Sequence, residues 1–277
     1  MQKNIMSVQT DTRRKVTVRR LAEMKQAKEK IACLTAYDAS FAQLLEKSGV
    51  DVVLVGDSLG MVIQGEETTL PVTVEDMLYH TQCVAKGLTN SLLITDMPFL
   101  SFTSEEEAVL NAGLFMKQGG AHMVKLEGGV DQADTVAALN KNGIPVCAHL
   151  WLQPQYVHKI GGYRVQGRDD AAADKMLIDA LTLQDAGADL MLLECVPELL
   201  ATKITDALDI PVIGIGAGAD CDGQILVLYD ILDISLGIRP KFSKNFMTSS
   251  SSIEEAIQHY VSAVKKAEFP AAEHVFS

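Results

Sequence analysis

"KSGVDVVLVGDSLG" occupies residues 47–60. A helix-ending glycine at 49 is followed, after Asp51, by an apolar run from Val52 to Val55 that continues unbroken into Gly56. A short, continuous apolar run reads as a strand buried on both faces, because a strand with one wet face would alternate apolar with polar residues. Doubly buried strands belong to parallel sheets whose faces are covered by helices. Such a strand has no structural use for a carboxylate at its end, yet Asp57 stands there with Ser58 beside it.

The same punctuation recurs in "KQGGAHMVKL", "KNGIPVCAHL" and "DAGADLMLLE", where a glycine closes a helix and a strand starts within a few residues. Strand-length apolar runs lie at 31–36, 52–56, 92–95, 122–126, 145–150, 190–195, 211–216 and 225–232. Helix-period segments separate most of them, with Asp38, Thr73, Ser104 (with Glu107) and Ser252 (with Glu255) as N-caps and Pro197 in a first turn. This alternation predicts an α/β fold, a single (β/α)8 TIM barrel over residues 1–277. A doubly wound open sheet fits less well: its first strand leads into a glycine-rich turn, whereas this chain runs into "TAYDASFA". Val18, Leu21 and Met24 predict a helix capping the N-terminal end of the barrel. Ile253, Ala256, Ile257, Tyr260 and Val264 form one stripe of a C-terminal helix that closes the barrel or packs on a partner. Residues 1–16 read as a basic arm, flexible or docked.

A formal charge of −12 argues against nucleic acid or an anionic membrane as partner. No apolar run reaches the roughly 18 residues of a membrane span, and the basic N-terminus has no apolar block to serve as a secretion signal. The five cysteines are scattered, without a C-x-x-C pair, which fits a soluble protein of the reducing cytoplasm.

In barrels of this kind the C-terminal strand ends form the active face. Those ends carry Asp38, Asp57 with Ser58, Asp96, Lys125 with Glu127, His149, Glu194 and the "GIGAG" of 214–218. A lone aspartate in such a place caps the next helix more often than not. Asp57 resists that reading because "GMVIQGEETTLPV" separates it from the next helix, and Ser104 is a better cap than Asp96. Asp57, Asp96, Glu127 and Glu194 would repel one another on one rim unless a charge neutralises them. An all-oxygen set suits Mg2+, which takes one or two carboxylates and leaves another free as acid or base. Ser58, Lys125 and His149 suit the oxygens of a small carboxylate or carbonyl substrate. "GIGAG" is able to cradle a phosphate. Residues 158–170, with Lys159, Arg164 and Arg168, read as a lid, a cationic loop or a plain solvent loop. His80, His122, His158, His259 and His274 lack metal-ligand spacing and read as structural.

"LVGDSLGM", "TLPVTVEDM", "MVKLEGG", "GGYRVQGR", "LLECVP", "IPVIGIGAG", "DGQILV" and "PKFSKNF", in this order, resemble the ketopantoate hydroxymethyltransferase family over residues 17–270. The resemblance implies a barrel of the phosphoenolpyruvate/pyruvate type that transfers a one-carbon unit from 5,10-methylenetetrahydrofolate to 3-methyl-2-oxobutanoate, the first committed step toward pantothenate. It implies Asp57 and Asp96 as Mg2+ ligands that also meet the substrate, with Glu127 holding the metal through water. Ser58, Lys125 and His149 would contact the keto acid, and Glu194 would be the acid/base residue. Metal polarisation would stabilise an enolate that attacks the folate methylene. A homo-oligomer, decameric in many bacteria, is also implied. Trp151 and Gln153 depart from the smaller residues usual beside His149. A sibling Mg2+-dependent lyase or mutase would share the aspartates, but no segment between the fourth and fifth strands supplies the reactive cysteine loop common in such lyases. A non-catalytic scaffold would leave the acidic rim unexplained.

Overall fold

The protein is described by a computed structural model covering residues 13–151, 155, 170–237 and 239–276. Most of the basic arm, together with Gln153, Lys159, Arg164, Arg168 and His158, lies outside the described residues. Eight strands form a closed barrel: β1 Ile31–Thr35, β2 Val52–Val55, β3 Leu92–Asp96, β4 Met123–Glu127, β5 Val146–Trp151, β6 Leu190–Glu194, β7 Val212–Ile215 and β8 Gly223–Leu226. Each is parallel to the next, and β8 pairs back onto β1. All of β1 to β4 is buried, as continuous apolar runs require when helices cover the outside and side chains fill the inside. The helices are α1 Val18–Gln26, α2 Ala39–Lys47, α3 Val74–Ala85, α4 Glu105–Leu114, α5 Ala133–Lys141, α6 Asp170–Asp185, α7 Glu198–Ala207, α8 Leu228–Ile231 and α9 Ile253–Lys265.

The eighth apolar run differs from its reading as one strand over 225–232. Only Ile225 and Leu226 lie in β8; Leu228–Ile231 turn into α8, whose first amide donates to Thr35 Oγ1 at 3.0 Å. A fully buried helical turn is as apolar as a buried strand, so periodicity cannot separate them. The seam itself demands Gly223, where a Cβ would stand 2.3 Å from the Ile31 carbonyl oxygen of β1.

Local signals place the connections. Asp38, Thr73, Ser104 and Ser252 each accept from the amide three residues on, and Thr73 with Asp76 completes a capping box. Pro197 sits one position before α7 as its N-cap rather than within its first turn. Leu21 and Met24 are buried, and Lys25 of α1 pairs with Asp222, the residue before β8, so α1 closes the N-terminal end of the barrel as its apolar spacing predicts. Ala256, Ile257, Tyr260 and Val264 are buried, whereas Ile253 at the head of the stripe is exposed. Helix α9 packs on the barrel: Tyr260 shares its hydroxyl between the carbonyls of Cys33 and Gln224, at 2.8 and 2.9 Å, across the β1–β8 seam.

Acidic residues at this N-terminal end are backbone clamps. Asp51 accepts from the Ala32 amide at 2.9 Å, Asp189 from Val146 at 3.0 Å and Asp222 from Val212 at 2.8 Å. Each holds the start of a neighbouring strand and has no unmet need for a ligand.

Candidate active site

The acids at the opposite end are placed differently. Beyond β2 the chain enters a single π-helical turn, Gly60–Gln64, and Thr73, not Asp57, caps α3. The Asp57 side chain is therefore free of capping duty, and it accepts from Gln155 Nε2 at 3.0 Å. Asp96 ends β3 and Glu127 ends β4. Lys125 and Glu127, two positions apart on a strand, share the inward face. Register sets Asp96 opposite Lys125 and Glu127 opposite His149. Glu194 ends β6, and Ser58 hydrogen-bonds the buried Tyr37 hydroxyl at 2.9 Å. Every residue singled out above as catalytic, metal-binding or substrate-binding lines one cavity of about 490 Å³.

Its polar floor is a network of charges removed from water. Lys125 Nζ lies 2.9 Å from Asp96 Oδ1, 3.6 Å from Glu127 Oε1 and 3.2 Å from His149 Nδ1. His149 Nδ1 is also 3.3 Å from Glu127 Oε1, and Nε2 is 3.3 Å from Glu194 Oε2. Burial raises the carboxyls of Asp57, Asp96 and Glu127, and Lys125 offsets part of that rise. Burial would lower Lys125, but the charges of Asp96, Glu127 and Asp57 outweigh it and keep the ammonium protonated. Burial and the Lys125 charge depress His149, so its imidazole is neutral. A neutral ring facing an ammonium accepts at Nδ1, which puts the proton on Nε2, toward Glu194.

One ammonium does not balance three buried carboxylates. Asp96 Oδ1 and Glu127 Oε1 are buried and meet the Lys125 ammonium, and for Glu127 also His149 Nδ1, as ion-pair contacts without an aligned hydrogen bond among the described residues. Oxygen-only donors with unmet acceptor capacity fit a hard divalent cation. Among the described residues no group of three or more His, Cys, Asp or Glu side chains is drawn together so as to hold a metal ion. Mg2+ itself needs only one or two carboxylates and keeps its other positions for water and substrate.

Gln155 escaped the sequence reading. Its amide bridges Asp57 Oδ2 and the Met97 carbonyl at 3.0 and 2.9 Å, and its backbone N–H reaches Glu127 Oε2 at 3.3 Å. Tyr37 and Asp230 also escaped it, the latter inside the run read as a strand. The glycines of "GIGAG" have another use than phosphate binding. A Cβ on Gly216 would meet Phe242 and Phe276 at 3.0 Å, and one on Gly218 would meet Glu198 at 2.7 Å. Side chains, one of them acidic, already fill the space an anion would need. His80, His122, His259 and His274 make local hydrogen bonds, in keeping with structural roles.

The ketopantoate hydroxymethyltransferase family profile matches residues 15–272. The chain is 59% identical over 265 residues to a 3-methyl-2-oxobutanoate hydroxymethyltransferase of Alkalilimnicola ehrlichii, covering 96% of each. It is 58% identical to that of Nitrosococcus oceani, covering 94% of this chain and 98% of the relative. Among solved structures it is similar to a phosphoenolpyruvate phosphomutase from Streptomyces platensis subsp. rosaceus, with TM-score 0.60, 14% identity and coverage of 78% and 83%. It is also similar to a phosphonopyruvate hydrolase solved with oxalate and Mg2+, with TM-score 0.60, 12% identity and coverage of 92% and 99%. These structural likenesses concern the barrel fold.

Proposed function

Since the chain belongs to the ketopantoate hydroxymethyltransferase family, we propose that its acidic cavity carries out that family's reaction as metal-assisted enolate chemistry. The enzyme hydroxymethylates 3-methyl-2-oxobutanoate to ketopantoate, on the route to pantothenate. The finer reading takes Mg2+ as the metal and 5,10-methylenetetrahydrofolate as the donor. The observation that carries it is the buried carboxylate set of Asp57, Asp96 and Glu127, three acids gathered around the single ammonium of Lys125.

Asp57 and Asp96 would hold the ion directly and Glu127 through water, with Gln155 fixing the orientation of Asp57. When bound, Mg2+ supplies the positive charge that acidifies the carbon beside the keto group and steadies the enolate. Lys125 and Ser58 bind the oxygens of the keto acid; Tyr37 sets the Ser58 hydroxyl. Neutral His149 carries its proton on Nε2, which lies 3.3 Å from Glu194 Oε2. Glu194 is the rim carboxylate that neither Lys125 nor Gln155 engages, so it is available to take the proton from C3 of the keto acid. The apolar walls, among them Leu54, Leu192 and Ile225, exclude water from the carbanion.

Five free cysteines support a cytoplasmic setting, and no helix among the described residues is long and apolar enough to cross a membrane. The same reading includes a homo-oligomer. The test is ketopantoate formation from the keto acid and methylenetetrahydrofolate by purified protein, with and without Mg2+. Asp57→Ala and Asp96→Ala should each abolish metal-dependent turnover while leaving the circular-dichroism spectrum unchanged. Turnover independent of metal, or wild-type activity in Asp57→Ala, would overturn the reading.

A further inference from the structure

The cavity is larger than the keto acid requires. About 490 Å³ lies within the range of roughly 300–1,000 Å³ that encloses drug-sized ligands. The acidic floor occupies one side, and the other is walled by Leu226, Val227, Leu236, Phe242 and Phe276. Among these apolar residues stands a carboxylate that belongs neither to the metal-binding set nor to the acid/base role of Glu194: Asp230 of α8, only 6% exposed and lining the same cavity. Ser235 Oγ donates to its Oδ1 at 2.5 Å and is its only hydrogen-bond donor among the described residues. Arg239, nine residues on, is paired with Asp233 at 2.5 Å. Tyr229, the residue before Asp230, packs edge-on against Tyr37 at 5.8 Å, and the Tyr37 hydroxyl is 2.9 Å from Ser58, so this turn borders the keto-acid site. A buried carboxylate with a free acceptor oxygen is costly unless a ligand supplies donors.

We propose that Asp230, oriented by Ser235, binds the 2-amino and N3–H edge of the reduced pterin of the one-carbon donor. The proposal rests on the folate reading above and names the residue that recognises it. That pterin edge offers two adjacent, parallel N–H donors, and a carboxylate accepts two such bonds in one plane. The flanking side chains are mostly apolar, as the faces of a fused ring require; Lys241 Nζ lies over the Phe276 ring at 5.2 Å, which leaves Phe242 as the ring able to stack on the ligand. Phe276 lies beyond residues 15–272, so part of this wall falls outside the family match.

The experiment is a set of titrations of the Mg2+-loaded protein with tetrahydrofolate, its 2-desamino analogue and 3-methyl-2-oxobutanoate, read by calorimetry. Asp230→Asn and Asp230→Ala should weaken tetrahydrofolate by about 10–100-fold, the loss of a hydrogen bond to a charged group. Ser235→Ala should weaken it less. Keto-acid affinity should stay within about twofold, since the metal-binding floor is untouched. The 2-desamino analogue keeps N3–H but lacks the second donor, so it should bind wild type more weakly than tetrahydrofolate does and lose less affinity than tetrahydrofolate in Asp230→Asn. Tetrahydrofolate affinity within twofold of wild type in Asp230→Asn would overturn the assignment, with the folate reading intact. An equal loss for keto acid and tetrahydrofolate would make Asp230 a clamp on its own loop and would also overturn it. Failure of the wild type to bind tetrahydrofolate would overturn the folate reading itself, and the assignment with it.

Discussion

Replacing Lys125 with methionine keeps much of its volume and removes the ammonium that offsets Asp57, Asp96 and Glu127. At an effective dielectric of 20, its charge attracts Asp96 at 2.9 Å by about 6 kcal/mol and Glu127 at 3.6 Å by about 5 kcal/mol. Desolvating a buried ammonium cancels most of that attraction, so the net effect is set by the carboxylates left stranded, about 3–5 kcal/mol. For a domain of this size that corresponds to about 6–15 °C in Tm. The measurement is thermal unfolding of both proteins in metal-free buffer at neutral pH, repeated with Mg2+ and at lower pH. Three results are expected. The variant melts lower without metal, Mg2+ raises its Tm more than that of wild type, and the gap narrows as acid protonates the stranded carboxyls. Burial already raises all three carboxyls, which makes protonation their readiest relief. An unchanged Tm with the same response to Mg2+ would refute the claim that these groups are held charged against one ammonium.

Glu194→Gln should lower kcat by about 100-fold or more while changing keto-acid Kd by only a few-fold; a dominant effect on Kd would make it a binding residue. Gln155→Ala should weaken activation by Mg2+ by about 10–100-fold, as for other groups that orient a metal ligand, and an unaltered Mg2+ titration would refute its role. His122 accepts the Leu93 amide at Nδ1 and is depressed by burial and by Lys15, so the fold favours its neutral form. Its contribution is fully present above the unfolded pKa of about 6.5 and is lost as pH falls from there toward the lower folded value. Urea unfolding between pH 5 and 7 should show a shallower pH dependence in His122→Gln, which retains an acceptor; a slope equal to wild type would refute this.

The strands and the acidic rim were legible because a parallel barrel writes itself locally: a glycine stop, an apolar run, then a polar end. What the pattern does not carry is direction within the barrel. Asp51 and Asp57 flank the same strand, yet one clamps a neighbouring amide and the other faces the cavity. The difference is fixed by which end of a closed sheet each occupies, and that is known only after the fold is assigned. Gln155 was illegible for a similar reason, since its partner Asp57 is 98 residues away. Asp230 was hidden because Leu228–Ile231 is apolar enough to pass for strand. Ile253 follows the helical stripe but sits where α9 has not yet reached the barrel surface, so period alone overextended the buried face.

The β1–β8 seam governs how the molecule comes to exist. All the rim residues, from Asp57 to Glu194, are synthesised before the strand that closes the sheet. Until Gly223–Leu226 arrive, β1 and the last completed strand are open edges of a greasy sheet, prone to pair with other chains. Later still come the contacts of Tyr260 on Cys33 and Gln224, which latch the first strand to the last. Activity thus depends on a stretch of polypeptide that contributes none of the metal-holding groups. Truncation after β7 would leave every rim residue in the chain and no barrel to hold them.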